Sequence, residues 1–124
     1  MAIGSVSVVY HTASRYLAAQ DKAHPSVQSC RTILATHEVT IYHGRIAASH
    51  TQARLCDRLT ITNEDERLRL IAFGQHNDHQ PYDGVTEKVL SQNQSLTITL
   101  NQIGTYEFHD HLQDELVGYF TVSE

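Results

Sequence analysis

The most evident absence in this 124-residue sequence is a long apolar run, because no segment approaches the ~18 consecutive apolar residues of a membrane-spanning helix. An excess of basic residues is also missing: 9 Lys and Arg stand against 14 Asp and Glu, and the formal net charge is −5. Nucleic-acid-binding domains normally present a basic face. The first residues lack the basic stretch followed by an apolar stretch that marks a signal peptide. We therefore expect no membrane span and no nucleic-acid partner.

The motifs of common enzymes are absent as well. The sequence contains no nucleophile elbow with a Ser-His-Asp order, no Gly-rich phosphate loop and no recognisable pair of catalytic carboxylates. Internal repeats and low-complexity tracts are also missing, and the length suits one domain. We therefore expect a binding protein without catalytic residues rather than an enzyme.

Cysteine is scarce: Cys30 and Cys56 are the only two, and 26 positions separate them. They form one disulfide, as in proteins of oxidising compartments, or they remain two separate buried thiols. The sequence leaves both possibilities open. Neither cysteine has a second Cys or a His at the spacing of a zinc knuckle, so neither is expected to bind a metal in that way.

Histidine, by contrast, is abundant, with 9 residues in the chain. Metal binding is one reason for such enrichment, and a surface that responds to pH is another. The histidines at 11, 24, 37, 43 and 50 share no common spacing, and we interpret them as surface or capping residues.

The pattern of apolar residues predicts a short helix followed by strands. Residues 12–23 are rich in helix formers and end just before Pro25, which indicates a helix. The later segments THEVTIYH, DRLTITN, SLTITL and GTYEF alternate between apolar and polar residues, as half-buried strands do. With 40% apolar residues available for a core, we predict an all-β antiparallel sandwich or barrel over residues 33–124. Residues 1–32 would form an N-terminal extension with the short helix. Residues 74–94 form a long polar segment, and loops of that length are often functional.

The order of these parts resembles the cupredoxin fold, a Greek-key β-sandwich. The resemblance rests on a strand ending in TNEDE, a long loop, the strand LTITL and the final GTYEFH with a later Gly118, over residues 33–124. Blue-copper cupredoxins hold their metal with His, Cys, His and Met. Aligning that pattern with this sequence gives four changed positions, namely Arg69, Asp110, Gln113 and Leu116.

These changes remove the chemistry of a blue-copper centre. Such a centre depends on a short copper–thiolate bond, and no Cys lies within the last 60 residues. A carboxylate at a mostly buried position is tolerable when it is paired with a guanidinium. We therefore predict a salt bridge between Arg69 and Asp110 that replaces the metal at this position.

A narrower resemblance concerns the histidines. Some bacterial cupredoxin-like domains without the copper-binding Cys carry His-x-x-His in the long loop and Tyr-His-Asp-His in the last strands. Here the corresponding residues are His76 and His79, and His109 and His111. That branch commonly has His at the position of Arg69, so the chain departs from it there. The resemblance implies a periplasmic or extracellular protein.

Spacing indicates how the histidines could act together. His109 and His111 project from the same face of a strand, opposite to Phe108 and Asp110, and can chelate one ion or simply face solvent. His76 and His79 are three positions apart on the loop, where many such pairs do nothing. Copper(II) is the first candidate metal and zinc the second, and no bound metal at all remains an alternative. Asp78 or Glu115 could add an oxygen ligand.

Three functions follow from these patterns. The first is a copper(II)-binding or other divalent-metal-binding protein, for copper carriage or buffering, with His76, His79, His109 and His111 as ligands. The second is a metal-free interaction module in which the Arg69–Asp110 pair occupies the former copper site. The third is a copper redox or electron-transfer protein.

Overall fold

The computed structural model of the protein describes residues 26–124, and this part of the chain is all β. The strands are β1 (Thr36–Tyr42), β2 (Arg45–Ala47), β3 (His50–Arg54), β4 (Arg58–Asn63), β5 (Arg69–Gln75), β6 (Asp78–His79), β7 (Glu87–Leu90), β8 (Gln94–Thr99), β9 (Gly104–Asp110) and β10 (Gln113–Ser123). Between Ser26 and the C-terminus there is no helix that could cross a membrane. The helix predicted over residues 12–23 lies outside the described residues.

The strands form two sheets that pack into a sandwich. One sheet has the order β2-β1-β4-β8, and the other has the order β3-β10-β9-β5-β6, with β7 also paired to β5. Most pairs are antiparallel, but β1 runs parallel to β4 and β3 runs parallel to β10. The all-β sandwich predicted from the sequence is confirmed, and its two sheets are mixed rather than wholly antiparallel.

The parallel pairing of β1 with β4 has a topological cause. After β2 the chain crosses to the second sheet as β3 and then returns to the first sheet as β4, beside β1. Such a crossover is what parallel neighbours require, because a tight hairpin can join only antiparallel strands. Alternation in a sequence reports which face of a strand is buried and is silent about strand direction.

The core lies between the two sheets. It is built by the residues that point inward, which are alternate residues along each strand. Val39, Ile41, Leu59, Ile61, Ile71, Phe73, Phe108, Phe120 and Val122 are all buried there. Close approach of β10 to β9 requires Gly118, since a Cβ at this position would collide with the ring of Phe108. This packing fixes the side of β9 that carries the core and therefore the side that is left for polar residues.

The two cysteines are joined in one disulfide, which decides between the alternatives left open by the sequence. Cys56 lies in the turn between β3 and β4, so the bridge ties the segment before β1 to that turn. The backbone N–H of Gln28 also donates a hydrogen bond to the carbonyl of Asn101. No free thiol is left in the chain.

The long polar segment after β5 is ordered rather than a simple loop. The chain turns back immediately through β6, which pairs Gly74 with His79, and later forms β7 along the same edge of β5, opposite β9. The N–H of Gln80 donates to the carbonyl of Phe73 and closes the hairpin. Gly74 has a φ of +89°, and a Cβ there would clash with the backbone of Asp78 and Gln80. Glycine is thus required at the base of this hairpin.

Candidate metal centre

The β5–β6 hairpin brings His76 and His79 against the outer face of the second sheet. There they meet His109 and His111, which lie at the end of β9. His109 is paired with Ala72 of β5, and the N–H of His111 donates to the carbonyl of Leu70 at 2.7 Å. Pairing with β5 therefore fixes the positions of both β9 histidines.

The rings of the four histidines lie close together. His109 and His111 have ring centroids 5.8 Å apart. The ring of His76 lies 5.9 Å from that of His109 and 5.4 Å from that of His111. For His79 the corresponding distances are 5.1 Å and 5.0 Å. Each histidine of the hairpin thus lies next to both His109 and His111, although 30 positions separate the two segments.

Three of the rings have one nitrogen held by an acceptor. Nδ1 of His109 donates to the carbonyl of Gly74 at 3.1 Å. Nδ1 of His79 lies 3.2 Å from a carboxylate oxygen of Glu87, and Nδ1 of His76 lies 3.0 Å from one of Asp114. A hydrogen bond of this kind fixes the tautomer and leaves Nε2 with a lone pair, which is how metal-binding histidines are commonly oriented.

Several buried ring nitrogens in this cluster have no partner. They are Nε2 of His79, Nε2 of His109 and Nδ1 of His111. Buried polar atoms are nearly always paired, so three unpaired nitrogens in one place need an explanation. One ligand atom each from His76, His109, His111 and Asp114 also lie within 4.8 Å of one another. His109 and His111 belong to both sets, so a metal ion at this group would give their rings a partner.

The electrostatics of the cluster favour neutral imidazole at its centre. Burial lowers the pKa of His109 below its ordinary value, and the nearby His79 and His111 act in the same direction. The hydrogen bond to Gly74 and the charge of Asp114 oppose this shift without cancelling it. His109 is 1% exposed and is neutral at pH 7, the form that binds metals.

The oxygen donors at this cluster are not the two proposed from the sequence. Asp78 accepts a hydrogen bond from the side chain of Gln80, and Glu115 accepts one from Gln113. Asp114 lies at the cluster instead. The ladder between β9 and β10 is irregular between Gln113 and Val117, so strict alternation does not predict which side chains face the histidines. Glu87 was also missed, because its place opposite Ala72 depends on the pairing of β5 with β7.

Arg69 and Asp110 form a second polar cluster on the core side of β9. Arg69 is 2% exposed, and its Nη1 lies 3.0 Å from Asp110 Oδ2, within salt-bridge distance as the sequence predicted. The same nitrogen donates to Gln113 Oε1 at 2.6 Å. The other oxygen of Asp110 accepts hydrogen bonds from the N–H groups of Leu70 and Leu112. The Asp110 carboxylate therefore also holds the backbone at the end of β9.

Asp65 is the member of this network that the sequence did not reveal. Its carboxylate lies 2.6 Å from Nη2 of Arg69. Burial alone would raise the pKa of Asp65, but hydrogen bonds from the Gly44 N–H, Arg69 and the His43 N–H outweigh it and hold the pKa below its ordinary value. Leu116, the remaining aligned position, is buried in the apolar core.

The two clusters lie on opposite faces of one strand. Asp110 pairs with the buried Ile71, whereas His109 pairs with Ala72 on the outer face. Successive side chains of a strand alternate between faces, so His109 and His111 share one side and Asp110 the other. This arrangement keeps the histidines apart from the Arg69–Asp110 pair, as the strand pattern predicted.

The comparisons with known proteins concern the fold. No family model and no curated protein sequence matches the chain. Among solved structures, a reduced copper(I) form of an amicyanin variant superposes with a TM-score of 0.60 at 15% identity, covering 74% of this chain and 86% of that chain. A purple cupredoxin from Nitrosopumilus maritimus superposes with a TM-score of 0.61 at 17% identity, covering 69% and 98%. Together with the two sheets described above, these similarities show that the chain has a cupredoxin-like fold.

Proposed function

We propose that the protein binds copper(II), or another divalent metal, through the histidine cluster and that it carries or buffers this metal. The observation that carries the proposal is the group of three buried, unpaired ring nitrogens on His79, His109 and His111. His76 and Asp114 supply two further ligand atoms at the exposed side of the cluster. Both of their side chains are 51% exposed, which leaves a path for an ion to enter.

Copper(II) is the preferred metal for physical reasons. It stands highest among the first-row divalent ions in affinity, and imidazole is a suitable ligand. Zinc follows, because it also binds imidazole and carboxylate together. The solved structures of similar fold include copper(I) forms of amicyanin, which supports testing copper first.

Electron transfer of the blue-copper kind is not part of the proposal. That chemistry needs a cysteine thiolate on the metal. The two cysteines of this chain are bonded to each other, and the position aligned with the copper-binding Cys is Asp110.

The disulfide is consistent with an oxidising compartment, so we propose a periplasmic or extracellular location. Residues 33–124 are proposed as the functional domain.

Titration calorimetry with copper(II) on protein purified without a tag tests the metal site. We expect one saturable site per chain, and a loss of affinity of at least about 100-fold in His109→Ala, because even a lost outer partner costs roughly 10–100-fold. The exposed His50 is the matched control, since it lies on β3 and hydrogen bonds Thr121. His50→Ala should leave the affinity unchanged. A weak isotherm with several sites, unaltered by His109→Ala, would contradict the proposal.

A metal-free interaction module is the second candidate. It is favoured by the Arg69 network, in which the two Nη atoms of the guanidinium are paired with the carboxylates of Asp65 and Asp110 without an ion. The same titration separates the two functions. Failure of copper(II) and zinc to bind a correctly folded chain would leave this second function as the better account.

A further inference from the structure

A groove opens beside the β5–β6 hairpin, and none of the four clustered histidines lines it. Its volume is about 640 Å³, within the range of roughly 300–1,000 Å³ that is usual for ligand sites. One wall is the hairpin with Asp78, and the other is the first half of β9 with Thr105 and Glu107. Neither the proposed metal ligands nor the Arg69 network line it.

The groove exists because β5 leaves β9 early. The ladder between these strands ends where Phe73 pairs with Phe108, and within residues 26–124 no strand continues along residues 104–107 on that side. The carbonyl of Gly74, which would be next in the ladder, accepts a hydrogen bond from the His109 ring instead. The first half of β9 is therefore paired only with β10.

The backbone of β9 projects hydrogen-bonding groups into this gap. The N–H of His111 points to β5, where it meets the carbonyl of Leu70. Alternate residues of a strand direct their N–H and C=O groups to the same side, so those of Glu107 and Thr105 point the same way. An open strand edge of this kind is where extended peptides add to a sheet.

The side chains of the groove determine which segment it would accept. Asp78 and Glu107 are acidic, and its described lining contains no Lys or Arg. Tyr106 and Tyr119 provide aromatic surface next to these carboxylates, and the Tyr119 side chain is 41% exposed. Carboxylates and tyrosine rings both attract ammonium and guanidinium groups.

We infer that this groove binds an extended segment of a partner protein that carries Lys or Arg. The segment adds as a strand to β9 over Thr105–Glu107 and places a basic side chain between Glu107 and Asp78. Backbone hydrogen bonds supply affinity, and the carboxylates select the charge. The inference does not depend on the metal site, because both the open edge and the carboxylates belong to the metal-free chain.

Fluorescence anisotropy of a labelled seven-residue peptide with alternating Lys and Val tests the inference on the metal-free full chain. N-methyl groups on alternate residues can block only one edge of a bound strand. One methylation pattern should therefore weaken binding by about tenfold or more, and the pattern shifted by one residue should not. Equal effects of both patterns, or equal binding of a peptide with Glu in place of Lys, would refute strand addition by a basic segment.

Variants of the chain give the second arm of the experiment. Glu107→Gln should lower the affinity for the peptide by about threefold, as expected for the loss of one exposed ion pair. Adding Asp78→Asn should lower the affinity further. Glu66→Gln is the control, since Glu66 is exposed and lies outside the groove. Spermidine binding as tightly as the peptide would show a site for small cations instead. Self-association that Glu107→Lys abolishes would show that a second copy occupies the groove, and either result overturns the inference.

Discussion

Replacing Arg69, the first residue of β5, with leucine should strongly destabilise the protein. The guanidinium is buried and contacts Asp65 and Asp110, and the Asp110 side chain is fully buried. Removing one partner of a buried ion pair leaves the other charge uncompensated, which costs about 3–5 kcal/mol. The free energy of unfolding falls by about 1.5 kcal/mol per M urea, so this loss of stability lowers the urea concentration at the unfolding midpoint by about 2–3 M.

Arg67→Leu is the matched control for this measurement. Arg67 lies two positions earlier and also donates to Gln113, at 3.3 Å, but it is exposed. Its loss should cost less than about 1 kcal/mol, as for other surface contacts. Urea unfolding followed by circular dichroism measures both variants. If Arg69→Leu unfolds at the same urea concentration as Arg67→Leu, the buried-pair reasoning is wrong.

A double substitution separates the ion pair from the backbone contacts of Asp110. Asp110→Asn keeps an oxygen for the N–H groups of Leu70 and Leu112 and removes the charge. The variant with both Arg69→Leu and Asp110→Asn should therefore be more stable than Arg69→Leu alone, because one stranded carboxylate is gone. A leucine at position 110 would leave the N–H groups of Leu70 and Leu112 without an acceptor, so its effect would not report the ion pair alone. A double variant that is less stable than the single one would argue against charge stranding.

Two further predictions concern copper. Copper(II) added to the metal-free protein should produce no intense absorption band at about 600 nm, because no thiolate is available for the metal; an intense blue colour would contradict the assignment of imidazole ligands. Copper affinity, measured by titration between about pH 5 and pH 8, should fall as the pH decreases below about 6, since protons compete for the imidazoles. The pKa of His109 is lowered from its ordinary value of 6.5, so this ring is protonated at a lower pH than an ordinary histidine. Protons therefore compete with copper at His109 only at that lower pH. An affinity that does not change over this range would exclude histidine ligands.

Much of the fold could be predicted from the sequence because alternation reports burial directly. Leu59 and Ile61 are buried and Thr60 and Thr62 are not, as DRLTITN indicated. Strand direction was not predictable in the same way, because the parallel neighbour of β1 depends on a crossover through the other sheet. The sequence could not decide whether Cys30 and Cys56 form a disulfide, because the distance between two cysteines is a property of the folded chain.

The candidate site was predictable where it rests on local spacing and unpredictable where it rests on tertiary contacts. His109 and His111 share a face because they lie two positions apart on a strand. Asp65 reaches Arg69 from a turn, and no period in the sequence marks that contact. Asp114 lies within the irregular stretch between Gln113 and Val117, which breaks the alternation on which the prediction was based.

The alternation along β9 has a consequence for how this chain can change over time. Since Phe108 and Asp110 serve the core side and His109 and His111 the outer side, point substitutions can modify either cluster while the other persists. Length changes are different. One residue inserted before His109 would turn its ring towards Arg69 and the Asp110 carboxylate towards the histidines, and both clusters would be lost together. Related sequences could therefore lose one cluster by substitution and keep the other, but they should hardly vary in the length of this segment.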